Sequence, residues 1–198
     1  MKALWLVTYF LVLLWSGINP KDYFTWLLEV FPALIGFTII AATYNKFRLT
    51  PLTYILILIH SIILMVGGHY TYAEVPLFNW LRDSFGMARN NYDKIGHLAQ
   101  GFIPAIIARE ILLRKNIVTQ KGWLSFIVIC ICLAISALYE LIEWWAALLS
   151  GEAAEAFLGT QGYIWDTQSD MAIALLGAIL ALALLSRVHD KQINDMTG

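Results

Sequence analysis

The chain is short of charge and of cysteine. Only 14% of its 198 residues are Asp, Glu, Lys or Arg, whereas an ordinary soluble domain has about 25%. The 13 basic residues are balanced by 14 acidic ones, which leaves no basic excess to bind nucleic-acid phosphates. Cys130 and Cys132 stand two apart in an apolar run, a pattern that predicts neither a disulfide framework nor a metal site.

Familiar catalytic signatures are missing as well. The sequence has no H-E-x-x-H, no G-x-S-x-G and no Walker loop, which argues against a zincin, an α/β-hydrolase and a P-loop nucleotidase. The alternating pattern of a membrane β-barrel is also lacking. What the chain has in excess is apolar residues, at 60%. A soluble protein of this composition would have too little polar surface to cover itself, so we expect an integral membrane protein.

Six continuous apolar segments predict an all-α fold, a bundle of six transmembrane helices in a single membrane domain over residues 1–198. Each segment approaches the roughly 17–25 residues that a helix needs to cross the hydrocarbon core. Pro32 and Pro104 fall inside segments and predict kinks. The first segment lacks an A-x-A cleavage pattern and is expected to stay as a helix. The predicted helices are 3–18, 23–42, 51–68, 95–112, 123–149 and 171–188.

The distribution of Lys and Arg predicts the orientation. With six crossings, both termini share a side with the connections at 44–50 and 113–122. That side carries nine basic residues and the other side carries four. Because positively charged loops stay in the cytoplasm, both termini are expected there. His189, in the C-terminal tail, is expected to be solvated.

Carboxylate and imidazole side chains from several predicted helices should then meet at the extracytoplasmic face. Intramembrane ionisable groups are usually functional, and they face the interior of a bundle. Of the acids and the histidine listed next, one pair lies at the start of the fourth predicted helix, one pair lies on the fifth, and one pair opens the sixth. The set is Asp93, His97, Glu140, Glu143, Asp166 and Asp170, with His69 at the end of the third helix available as a second imidazole.

Each pair in this set has a structural explanation and a functional one. Asp93 and His97 are four residues apart, a spacing that suits a carboxylate orienting an imidazole or two ligands of one ion. Asp93 could equally cap its helix, with His97 an interfacial histidine. Glu140 and Glu143 share a helix face, and a buried carboxylate costs about 2.5–3.5 kcal/mol on insertion scales. One of the two glutamates could simply reach the interface while the other helps packing.

The chemistry of this set suits acid–base catalysis or a divalent cation such as Zn²⁺, Mn²⁺, Fe²⁺ or Mg²⁺. The favoured hypothesis is an enzyme acting in the outer leaflet on a lipid or lipid-linked envelope substrate. A proton or solute transporter and a structural or accessory membrane subunit are the alternatives; no partner beyond the bilayer and such a substrate is predicted. The candidate catalytic residues are His97, Glu140, Glu143 and Asp170, and the candidate metal ligands are Asp93, His97, Glu140, Asp166 and Asp170, with His69 as a further candidate.

Several motifs resemble the YjdF-like family of bacterial inner-membrane proteins over nearly the whole chain. The resemblance implies a multi-pass protein of the inner membrane and carries no assigned activity. The matching stretches are His69-Tyr70, Ala73-Glu74-Val75-Pro76, Arg89-Asn90, Tyr92-Asp93-Lys94, His97, Tyr139 to Trp144, Leu158 to Gly162, Trp165 to Gln168 and Asp170-Met171. A weaker similarity to VanZ-like membrane proteins runs through Asp93-Lys94, His97, Glu140, Asp170 and Gly177, but Ala174 stands where that pattern has Asn.

Overall fold

The computed structural model describes residues 2–150 and 161–197, and within these ranges the chain forms helices and turns without β-strands. The predicted all-α class is therefore confirmed, and each predicted segment overlaps a helix. One short helix, α4, was not predicted. The helices are α1 Lys2–Gly17, α2 Tyr23–Thr43, α3 Pro51–Tyr70, α4 Pro76–Phe85, α5 Tyr92–Arg114, α6 Lys121–Ser150 and α7 Asp166–Thr197.

Local sequence explains several helix boundaries. The Asp22 side chain accepts a hydrogen bond from a backbone N–H of the first turn of α2. Thr50 does the same for α3, where Pro51 takes the first position and loses no helical hydrogen bond. Both helices with an internal proline, α2 with Pro32 and α5 with Pro104, continue through it.

The most extensive helix contact joins α5 and α7. Small residues allow it: a Cβ added at Gly101 would overlap the carbonyl oxygen of Ala174, and one at Gly177 would overlap that of Leu98. Ala181 of α7 is fully buried nearby. Close backbone approach of this kind is typical of helices packed within a membrane. It brings the first turns of α5 and α7 side by side.

The long helices alternate in direction along the chain. We call the end of the bundle that holds Asp93 and Asp170 the site end, because α5 and α7 both begin there. α2 begins at the same end, where the N–H of Lys21 donates to the carbonyl of His69 at 3.0 Å. The opposite end is the one at which α3 begins and α5 ends.

Four of the described helices, α2, α3, α6 and α7, are long and apolar enough to cross a membrane. α1 is apolar but has only 16 residues. α5 has 23 residues, but Asp93, Lys94 and His97 near its start and Arg109 and Glu110 near its end lower its hydropathy. Composition alone therefore identifies fewer spanning helices than the six that were predicted.

A buried polar network closes the opposite end. Glu110 accepts hydrogen bonds from the Thr50 N–H at 2.8 Å, the Thr53 hydroxyl at 2.6 Å and Arg114 at 2.7 Å. The Nε2 of His189 lies 3.2 Å from the same carboxylate. The expectation of a solvated His189 is wrong, because α7 continues past this residue and buries its ring completely.

Candidate active site

His97 lies on α5 and is surrounded by carboxylates from α5, α6 and α7. Its ring is buried, with 5% of the residue exposed. Nε2 is 3.2 Å from an oxygen of Asp93, one turn earlier, and 3.9 Å from Asp170. Nδ1 is 3.1 Å from the side-chain oxygen of Gln100 and 3.8 Å from Glu140. One imidazole is therefore in contact with, or close to, acids from three helices.

Two cations bind the acids at the starts of α5 and α7, and sequence reasoning assigned a role to neither. Arg89 contacts Asp166 at 2.5 Å and Asp93 at 3.3 Å. The ammonium of Lys94 lies 2.5 Å from Asp170 and 2.9 Å from Asp166. Asp166 is thus held by both cations, which makes it the least available of the predicted metal ligands. Charge-assisted contacts of this kind fix the positions of the carboxylates.

The loop before α5 is clamped to the segment before α7. Gln161 exchanges two hydrogen bonds with the backbone of Asn90, at 3.0 and 2.9 Å. The fully buried Asn90 side chain donates to the carbonyl of Val75 and to the side chain of Asn79. These contacts fix the start of α5 and hence the first turn that carries Asp93.

Glu140 and Glu143 face the site from α6. Glu140 is buried, and its Oε1, the oxygen nearest His97, has no hydrogen-bond partner among the described residues. Glu143 is half-buried and lines a cavity. Both acids of the predicted i, i+3 pair therefore lie near His97, and Glu143 also lines the cavity. An unpartnered buried carboxylate oxygen is costly, and a proton or a ligand would satisfy it.

The cavity next to His97, which we call the His97 cavity, has a volume of about 220 Å³. Its polar wall includes Asp93, His97, Glu143 and two residues that sequence reasoning missed, Glu29 and Tyr139. Glu29 lies on α2, is 5% exposed and accepts a hydrogen bond from the Tyr139 hydroxyl at 3.0 Å. A lone acid within an apolar segment was the signal that could have identified Glu29.

Tyr72 forms another part of the cavity wall. Thr71 and Tyr72 have positive φ angles of 56° and 38°, and this turn folds the Tyr72 ring back onto the helices. A Cβ at Gly67 would overlap the ring, and one at Gly96 would lie 2.8 Å from it. Burial raises the pKa of the Tyr72 hydroxyl well above its usual value, so the hydroxyl remains protonated.

His69 lies elsewhere. Its Nδ1 is 3.0 Å from the carbonyl oxygen of Ser16, and its ring centroid is 4.5 Å from that of Trp15. These contacts join α3 to α1. Among the described residues, the groups that could hold a metal do not include His69.

Two sets of residues offer ligand atoms within 4.8 Å of one another: Asp93, His97 and Asp170, and His97, Glu140 and Glu143. In the first set the Lys94 ammonium is 2.5 Å from Asp170 and would compete with a divalent cation. The second set has no such competitor among the described residues. Both sets fit the imidazole and carboxylate preference of Zn²⁺ or Mn²⁺.

Acidic side chains outnumber basic ones around the site. Six carboxylates line it, from Glu29, Asp93, Glu140, Glu143, Asp166 and Asp170, and two fixed cations, Arg89 and Lys94, face them. Carboxylates this close together share protons or bind a cation. The arrangement is therefore suited to moving protons or to binding a positively charged group.

Comparison with known proteins connects the chain to membrane proteins. Residues 1–191 match the family model DUF2238, described as a predicted membrane protein. The chain is 52% identical over 187 residues to a protein of Escherichia coli (strain K12) named "Inner membrane protein YjdF", covering 94% of this chain and 90% of that protein. No solved structure matches. The resemblance to the YjdF-like family is thereby confirmed.

Proposed function

We propose that the chain, which belongs to the DUF2238 family of predicted membrane proteins, is an inner-membrane enzyme that performs acid–base chemistry on a lipid or lipid-linked substrate. The observation that carries the proposal is the buried imidazole of His97, 3.2 Å from Asp93 and beside a cavity within an apolar bundle. The name of the Escherichia coli relative supports the inner-membrane location.

The proposed topology has six spanning helices with both termini in the cytoplasm. The alternating directions of the long helices support this count. If each long helix crosses once, α1 and α5 span the bilayer in addition to the four more apolar helices. The excess of Lys and Arg on the terminal side supports the orientation. The site end then faces the periplasm, and the polar start of α5 lies near the outer interface, where its charge is less costly than at the bilayer centre.

In this proposal Asp93 is a positioning residue and His97 is the proton carrier. With Nε2–H donated to Asp93, the protonated ring donates its Nδ1–H to the Gln100 oxygen, and this Nδ1 proton is the one that can be exchanged. Glu140, at 3.8 Å, is placed to pass a proton to or from the ring. A correctly positioned acid or base typically contributes about 10²–10⁴-fold to a rate.

The test is a comparison of lipids before and after exposure to the protein. Proteoliposomes containing the wild type, His97→Asn or the control His69→Asn are made from a total bacterial lipid extract and analysed by mass spectrometry. We expect lipid species that change with the wild type and the control and stay constant with His97→Asn. Identical profiles for the wild type and His97→Asn would contradict the proposal.

A metal-dependent enzyme is the second candidate, favoured by the two ligand sets whose atoms lie within 4.8 Å. Its test is metal analysis of protein purified without chelators. A stoichiometric divalent metal that is lost in Glu140→Gln supports this candidate over purely acid–base chemistry. Metal content that is substoichiometric, or equal in both proteins, contradicts it.

A further inference from the structure

We infer that a groove between α2 and α5 binds one hydrocarbon chain of an amine-bearing membrane lipid, whose head group lies in the His97 cavity. The inference rests on the proposed function and names its substrate class.

The groove has a volume of about 450 Å³ and a mostly apolar lining, with Thr43 and Lys115 at the end away from the His97 cavity. Its floor is formed by α3 and its walls by α2 and α5. α2 packs extensively on α3 but makes little direct contact with α5, so a space remains between them. Ile39 of α2 and Ile111 of α5 line this space and are 57% and 39% exposed. The groove is therefore open sideways, where the hydrocarbon of a bilayer would lie.

The groove and the His97 cavity share three lining residues, Pro32, His60 and Leu64. They are therefore adjoining parts of one depression, apolar along most of its length and acidic at the site end. A lipid has the same division between chain and head group. The aliphatic walls suit hydrocarbon better than they suit an ion path, which needs polar groups along its length.

The cavity and the groove together are long enough to hold a chain that spans one leaflet. From His97 to Ile111 is fourteen residues of α5, or about 21 Å at the rise of an α-helix. Half of the hydrocarbon core of a bilayer is about 15 Å. A hydrocarbon chain whose head group lies beside His97 can therefore stay within the cavity and groove from the bilayer surface to the midplane.

The polar end favours a positively charged head group. Glu29 and Glu143 line the His97 cavity, and no Lys or Arg in the described ranges lies within 4.0 Å of either carboxylate. A primary ammonium such as that of phosphatidylethanolamine would donate hydrogen bonds to these two acids and stabilise their ionised form. A head group whose only charge is negative would find no cationic partner on Glu29 or Glu143 and would gain nothing from them.

Two glycines provide a matched pair of variants for the chain-binding part. Gly36 lines the groove on α2, and a Cβ added there meets nothing within 4 Å. Gly122 on α6 is equally open but does not line the groove. Gly36→Leu should therefore fill the groove without disturbing the fold, and Gly122→Leu controls for the added leucine. Both variants replace a helix-destabilising glycine, so both should fold.

The experiment is native mass spectrometry of detergent-purified protein titrated with phosphatidylethanolamine or phosphatidylglycerol carrying identical acyl chains. We expect Gly36→Leu to weaken phosphatidylethanolamine binding about tenfold, since displacing two methylenes is enough for that change, and Gly122→Leu to bind as the wild type does. Equal binding by all three proteins would overturn the assignment of the groove.

The head-group part has its own readout. We expect the wild type to prefer phosphatidylethanolamine to phosphatidylglycerol, and Glu29→Gln to reduce that preference. Equal affinity for the two lipids in the wild type would overturn the amine assignment. Lipid binding by the wild type and Gly36→Leu is measured without any lipid conversion, so failure of the proposed chemistry, read from lipid profiles, is distinguished from failure of this inference, read from binding.

Discussion

Replacing Gly177 with alanine should destabilise the bundle, because α5 and α7 have no room between them for another carbon. A Cβ at this position would overlap the carbonyl oxygen of Leu98 and lie 2.9 Å from the backbone nitrogen of Phe102. Both neighbours are backbone atoms, so the two helices must move apart. Overpacking of this kind typically costs about 1–3 kcal/mol.

The matched control is Gly122→Ala, since nothing lies within 4 Å of a Cβ there. Alanine is favoured over glycine in a helix by about 1 kcal/mol, so the control should be unchanged or slightly stabilised. The same preference applies at Gly177 and largely cancels in the comparison, so the two variants should differ by about 1–3 kcal/mol in free energy of unfolding. Because the same contact holds Asp170 near His97, Gly177→Ala should also lose the activity proposed for the site.

The assay is reversible unfolding in mixed detergent micelles, followed by circular dichroism for the wild type and both variants. Gly177→Ala should unfold at a lower denaturant fraction and Gly122→Ala at the same or a higher one. If the two alanine variants were equally stable, the close backbone contact of α5 with α7 would be refuted, together with the positions of the acids that depend on it.

Two further predictions concern the ends of the bundle. Glu110→Gln should lower the free energy of unfolding by about 3–5 kcal/mol, because it breaks a buried network that includes His189. The control Asp190→Asn, at a half-exposed carboxylate, should lower it by about 1 kcal/mol or less. Chemical unfolding of both variants measures these losses, and equal losses would refute the role of Glu110. Gly67→Ala should destabilise the fold because its Cβ meets the Tyr72 ring, and Tyr72→Ala in the same chain should recover part of the loss; additive losses in a double-mutant cycle would contradict the contact.

The helices could largely be predicted from the sequence because their signal is local. Continuous apolar runs marked six of the described helices within a few residues at most boundaries. α4, 76–85, was missed because it is short and amphipathic, with exposed Trp80 and Phe85. The continuation of α7 past His189 was missed because polar residues in a terminal segment look solvated until their tertiary partners are known.

The candidate site could be predicted only in part. The i, i+4 spacing placed Asp93 and His97 on one face, and topology brought the later acids to the same end. The pairing of Arg89 and Lys94 with Asp166 depends on the register between α5 and α7. Contacts of Gly101 and Gly177 between the two helices set this register, and no local sequence pattern predicts it.

Tyr72 and Glu29 belong to the site through long-range packing. The Tyr72 ring reaches the His97 cavity because two residues with positive φ turn the chain back. Glu29 reaches it because α2 packs beside α3 and Tyr139 of α6 donates to its carboxylate. The spacing of neighbouring residues in the sequence predicts neither the position of Tyr72 nor that of Glu29 beside His97.

The contact between Asp93 and His97 is the central claim, and nitrogen-15 NMR of histidine-labelled protein in lipid bilayers tests it most directly. The spectrum reports the protonation and hydrogen bonding of each ring nitrogen, so the His97 resonances can be compared between the wild type, Asp93→Asn and the distant control Asp22→Asn. The 3.2 Å contact predicts a clear change at His97 Nε2 in Asp93→Asn and none in the control. Identical His97 resonances in all three proteins would contradict the account.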